Sequence, residues 1–251
     1  PLAVPGSAPQ AGYRQRAAPP VRSPWPRRWL RLGTTVAAGL TTAGLVVSWS
    51  RGGWIAFAVA FLVVILAHAR RAAPLVLLAT GLGLAAMAAL GLADLLPASL
   101  VERLGELRSY LGMIDLRATE VTDANFSVLE RVAHWQAASA MWAGHPWLGV
   151  GLGSYAAAYP AYALPRWPEA LGHAHNVYLN FGAEAGLAGL LAYLVLWAAA
   201  CWQALKSAAS RHPLVAAVGA GVLGALAHAT IHNMFDNLWV QHIALVLSLQ
   251  L

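Results

Sequence analysis

The chain has 251 residues, 59% of them hydrophobic and only 10% charged, whereas a soluble domain carries about 25% charged residues. That balance argues against an ordinary soluble domain, and the eleven tryptophans fit a chain lying in a bilayer, where Trp gathers at the interfaces. The net charge of +6 is unevenly spread, and its distribution reads as membrane topology, not as nucleic-acid binding.

Residues 1–31 are rich in Pro, Ala and Arg and read as a basic flexible segment. Apolar runs at 32–49, 53–69 and 74–93 predict three transmembrane helices over 32–93. A large polar loop follows over 94–176. Further apolar runs at 177–202, 214–235 and 238–251 predict three more spans over 177–251, the last cut short. The expected architecture is all-α: a polytopic membrane protein of about six helices with one large extracytoplasmic loop. The chain starts at Pro1 without a Met and stops inside an apolar run, so it reads as a fragment of a longer protein. Its single cysteine, Cys201, lies in an apolar run and offers no disulfide framework.

Basic residues orient the spans. Arg14, Arg16, Arg22, Arg27, Arg28 and Arg31 precede the first, Arg70 and Arg71 join the second to the third, and Lys206 and Arg211 join the fourth to the fifth. These segments contain no acid, whereas the loop 94–176 holds eight acidic residues against five basic ones. Simple alternation puts all three basic segments on the cytoplasmic side. The turn "SWSRGGW", the large loop and "HNMFDN" then share the outer face.

That face collects the polar residues. Arg51 sits in a short glycine turn between two apolar runs, where a charge either serves function or snorkels to lipid phosphate. In "NFSVLERVAHWQAASAMW", residues 125–142, Ser127 and Glu130 have capping-box spacing and predict a helix start. Val128, Val132, Trp135 and Trp142 make its apolar face, with Arg131 at the border. An amphipathic helix on the outer membrane surface is expected. "GHPWLGVGLGSY" at 144–155 reads as a tight turn, since no strand precedes its glycines and no Gly-Lys-Ser/Thr follows.

In "LGHAHNVYLNFGAEAGLAGLLAYL", Asn176, Asn180 and Glu184 are four apart and form a polar stripe entering the membrane, with His173 and His175 just before it. His228, His232 and Asp236 form a second stripe, flanked by Asn233 and Asn237. His-x-His and His-x-x-x-His are metal-ligand spacings. With no cysteine ligand and no carboxylate near the first pair, pairing of His232 with Asp236 is the plainer expectation, and no metal is expected.

"SRGGW", "ERVAHW" followed by "HPWLGVGLGSY", then "HAHNVYLNFGAEAGLAGLLAYL" and "HNMFDN" together resemble the O-antigen ligase and polymerase superfamily, over roughly residues 45–245. The resemblance implies a fold similar to the C-type glycosyltransferases and action on lipid-linked glycans at the outer face of the bacterial cytoplasmic membrane. It also implies chemistry without metal, cofactor or nucleotide sugar. By position, Arg51 and Arg131 match arginines that hold the diphosphate of an undecaprenyl-linked donor. The loop histidine matches His175 first and His173 second. The other expected substrate-site residues are Asn176, Asn180, Glu184, His232 and Asp236. Expected partners are an undecaprenyl-diphosphate-linked glycan, a glycan, lipid or protein hydroxyl acceptor, and membrane lipids. The superfamily also contains proteins described as bicarbonate transporters, so a transporter of a small anion is the alternative.

Overall fold

The computed structural model describes residues 27–68, 73–89, 116, 118–123 and 125–239. Most of the expected basic segment, the Arg70–Arg71 link, the first part of the large loop and the sixth span from Val240 onward lie outside the described residues. Among the described residues the secondary structure is helical, with no strand: α1 (Arg27–Val47), α2 (Arg51–His68), α3 (Ala73–Ala89), α4 (Phe126–Gly144), α5 (Tyr155–Ala158) with a 3₁₀ turn at Tyr159–Ala161, α6 (Val177–Ala208) and α7 (Pro213–His232). The chain divides into two units, residues 1–44 and 45–251. In the first, α1 is exposed along nearly its whole described length, and Thr41 bonds back to the Ala37 carbonyl. The second unit holds everything discussed below.

Among the described residues, α6 and α7 are the two helices long and apolar enough to cross a membrane. Their outward side chains are large and apolar, including Leu194, Val195, Leu196, Leu214 and Val218, which suits lipid and not water. Within the pair, Trp197 Nε1 donates to Thr230 Oγ1 at 2.7 Å and the Tyr178 hydroxyl donates to the Thr230 carbonyl at 2.9 Å. Small residues let the helices meet. A Cβ on Gly219 would strike the backbone at Ser207 and Ala208, and one on Gly224 would strike Val64 of α2. Close backbone approach is how helices associate where lipid removes the hydrophobic drive between them.

Gly186, at φ +63, breaks α6. The segment after the break, 187–208, is about 33 Å long at ~1.5 Å per residue, close to a bilayer core of about 30 Å. The turn 146–151 enters the break. Val150 and Gly151 donate to the carbonyls of Ala183 and Glu184, at 2.8 and 2.9 Å, while Leu187 and Ala188 donate to those of Pro146 and Trp147. Gly149 and Gly186 both have positive φ, and a Cβ on either would collide with the backbone of the other segment. The glycines of "GHPWLGVGLGSY" thus serve an interlock of two backbones.

α4 begins one residue before the expected Ser127. The start is set further upstream: Thr122 N donates to Asn125 Oδ1 at 2.8 Å, and Asn125 N reaches back to Thr122 Oγ1 at 3.4 Å. Ser127 lies inside the first turn. The buried stripe of α4 runs through Leu129, Ala133, Ala137 and Met141; Ala137 and Met141 pack against Tyr155, Tyr159 and the first half of α6, and Leu129 and Ala133 against Leu116 and Trp167. Trp142 fits over Gly182, where a Cβ would stand 2.6 Å from its ring.

Candidate active site

Ser50 starts α2 by accepting from Gly53 N at 3.1 Å, which makes Arg51 the first helical residue. Arg51 is only 7% exposed. It lines a cavity of about 390 Å³ together with Ser127 and Arg131 of α4 and His232 and Asp236 at the end of α7. Arg131 Nη1 donates to the Ser127 carbonyl at 2.9 Å, and its Nε is buried without a hydrogen-bond partner among the described residues. Two guanidinium groups and a helix N-terminus therefore face one concave space, an arrangement that attracts anions.

Asp236 stands at the edge of that space. Burial pushes its carboxyl pKa up, but the His175 hydrogen bond, the Asn237 backbone N–H and Arg131 outweigh burial and hold it at about 2. An ionised carboxylate only accepts. His175 Nδ1, 3.2 Å from Asp236 Oδ1, must therefore carry the proton it donates. In the neutral ring this leaves a lone pair on Nε2, which is buried and has no partner among the described residues. His175 pairs with Asp236 where the spacing favoured His232. The His232 ring lies instead 5.3 Å from that of His228, with its Nε2 3.5 Å from Ser50 Oγ.

The backbone presents His175 under strain. Its φ is +49, a region that L-residues rarely adopt and that concentrates at functional sites. Trp135 Nε1 donates to its carbonyl at 3.2 Å, and its own N–H donates to His173 Nδ1 at 3.1 Å. Burial and the neighbouring His175 push the His173 pKa down; Asp236 opposes this and Arg131 adds to it.

The stripe of Asn176, Asn180 and Glu184 is also here, and each side chain holds backbone. Asn176 caps α6 by accepting from Leu179 N at 3.0 Å and ties it to the turn after α7 by donating to the Met234 carbonyl at 3.0 Å. Asn180 Oδ1 accepts from Ala174 N at 3.0 Å, inside the histidine loop. Glu184 Oε1 accepts from Tyr155 N at 2.9 Å, at the start of α5.

A third histidine belongs to the group although its spacing did not single it out. His134 is 1% exposed. It stacks on Tyr159 at 4.5 Å between centroids, and its ring stands edge-on to that of His175 at 5.6 Å. Its Nδ1 is 2.9 Å from the Tyr155 hydroxyl. Burial first, then His175 and His173, lower its pKa to about 4, so it is neutral at ordinary pH. In sequence it reads as one more residue of a helix face; only its partners, Tyr155 and Tyr159, distinguish it.

The O-antigen ligase family model matches residues 36–194, more than half of the chain. The chain belongs to the O-antigen ligase family. Comparison with curated proteins gave no match. The match includes Arg51, Arg131, His134 and the histidine loop, and ends before the turn after α7 that supplies Asp236. Membership makes this O-antigen ligase family protein a membrane protein with a ligase- or polymerase-type role in surface glycan biosynthesis. Within its site, His173, His175 and Asp236 also place three potential metal-ligand atoms within 4.8 Å of one another. Two of these donors already bond each other, and a third atom, His173 Nδ1, accepts from the His175 backbone.

Proposed function

We propose that the protein transfers a glycan from undecaprenyl diphosphate to an acceptor hydroxyl at the outer face of the bacterial cytoplasmic membrane. The observation that carries the reading is one cavity lined by Arg51, Arg131 and Asp236, whose carboxylate also bonds His175. Residues 1–31, the Arg70–Arg71 link and the Lys206–Arg211 link lie on the cytoplasmic side. The six spans alternate, and the loop 94–176 lies outside.

His175 Nε2 takes the proton of the acceptor hydroxyl as its oxygen attacks the anomeric carbon. The bond from that carbon to the diphosphate oxygen breaks, and its electron pair leaves with the lipid diphosphate. Arg51 and Arg131 stabilise the charge that gathers there, as fixed cations in a site shielded from water. Their planar forks suit phosphate oxygens. Asp236 keeps Nδ1 protonated and then stabilises the imidazolium, the orienting role of a carboxylate behind a catalytic histidine. The arginines supply the positive charge, and no metal takes part. His173, Asn176 and Asn180 shape the loop that presents His175, Glu184 anchors the start of α5 behind it, and His232 lines the donor side.

Transport of a small anion is the rival. It requires polar groups through the whole bilayer, yet residues 187–202 and 213–227 carry no charged side chain, which favours transfer. Replacing His175 with Gln tests the base. The transfer rate should fall about 10²–10⁴-fold with the donor KM unchanged. An unaltered rate would refute the assignment.

A further inference from the structure

α4 has a second functional face. Ser127 and Arg131, four apart, look into the arginine cavity, whereas Phe126, Glu130 and His134, also four apart, line a separate pocket of about 270 Å³. Its remaining wall comes from the loop after the 3₁₀ turn, where Trp167 and Glu169 stand.

We infer that this second pocket is a saccharide subsite that holds the acceptor glycan beside His175. The acceptor role rests on the transfer reaction proposed above; the sugar chemistry rests on the pocket. Phe126 is a large aromatic left 45% exposed in the wall of this pocket, with its ring 5.2 Å from that of Trp167. Aromatic faces are apolar and electron-rich, so they suit the C–H face of a sugar ring. Trp167 is 7% exposed, and its indole N–H is buried without a partner among the described residues. A buried donor left unsatisfied calls for an explanation, and a sugar oxygen supplies one. Glu130 and Glu169 add carboxylates that only accept, which matches hydroxyl donors.

Charge narrows the ligand class. Two carboxylates face one arginine, Arg166, whose Nη1 already donates to the Thr119 carbonyl at 3.2 Å. Such a lining disfavours phosphate and favours a neutral or amino sugar. Position supplies the link to chemistry. His134 is a wall of this pocket, and its ring stands 5.6 Å from that of His175. The donor diphosphate and the acceptor sugar thus approach over neighbouring faces of α4, with His175 next to the shared wall at His134.

The test uses the full chain in nanodiscs and saturation-transfer NMR with four probes: the methyl glycosides of glucose, galactose, rhamnose and N-acetylglucosamine. At least one should give a signal that Glu130→Gln and Glu169→Gln each weaken. No signal from any probe, or signals unchanged in both variants, would overturn the inference. Transfer kinetics supply the second readout. Each variant should raise the acceptor KM about tenfold, the equivalent of ~1.4 kcal/mol, with kcat and the donor KM unchanged. A rise in the donor KM alone would overturn it too. Probe binding without any transfer by the wild type would leave the saccharide site standing and reject only the proposed reaction.

Discussion

Arg51→Lys separates a diphosphate-holding arginine from one that merely anchors in headgroups. The substitution keeps one positive charge and removes the planar fork. Arg51 is 7% exposed and opens α2 inside the cavity it shares with Arg131. A lysine there keeps a point charge but presents it to fewer oxygens in less defined directions. Removing one preorganised donor from a site of developing charge typically costs ~2.7–4 kcal/mol, or about 10²–10³ in rate. Because the charge survives, the expected loss in kcat is near the lower end, about 10²-fold. The assay is the initial rate of glycan transfer in liposomes, at matched protein levels and saturating donor. Arg131→Lys should behave alike, since it also forfeits the anchor from Nη1 to the Ser127 carbonyl. Both arginines grip one group in this account, so the double variant should lose less than the product of the single losses. A lysine can snorkel as arginine does. Rates within about threefold of wild type, less than ~1 kcal/mol, for both single variants would refute the reasoning and return the arginines to the lipid interface.

Two other predictions concern the frame around the site. His134 is buried with its pKa lowered to about 4 from 6.5, so between those values the unfolded chain binds the extra proton and stability falls as pH drops. Thermal unfolding in detergent should show wild type losing stability from pH 6.5 down to 4 more steeply than His134→Gln; parallel curves would contradict this. Gly186→Ala should prevent a monodisperse fold, because it forces a strained φ and a clash with the backbone at Trp147, whereas Gly221→Ala, with nothing within 4 Å, should be tolerated. Equal behaviour of the two variants would argue against the interlock.

Local signals made part of this site legible. Asn176 precedes an apolar run and caps α6, a short-range effect that a few residues encode; Ser50 caps α2 and makes Arg51, Gly52 and Gly53 helical where the sequence reads as a glycine turn. The four-residue spacing of Asn176, Asn180 and Glu184 placed them on one side of a helix; Asn180 holds the histidine loop, whereas Glu184 holds the start of α5. Spacing could not reveal what their oxygens accept, because Ala174 and Tyr155 reach them only through folded loops. The same limit hid the pairing of His175 with Asp236, which lies sixty-one residues away. His232 was the nearer candidate, but α7 ends at His232, Asp236 lies in the turn beyond it, and the His232 ring lies against Ser50. The Gly149–Gly186 interlock had no periodicity to betray it, since each glycine needs the other segment's backbone to explain it. His134 sits on an ordinary helix face until Tyr155 and Tyr159 fold over it.

The most direct measurement reconstitutes the full protein in liposomes containing EDTA, with a glycan on undecaprenyl diphosphate and a hydroxyl acceptor. It quantifies glycosylated acceptor and released undecaprenyl diphosphate together. The account predicts equal amounts of both, and loss of both in Arg51→Lys and His175→Gln. Absence of transfer in EDTA with recovery on a divalent cation would contradict the arginine-based mechanism. Bicarbonate uptake by the same liposomes without any transfer would contradict the function itself.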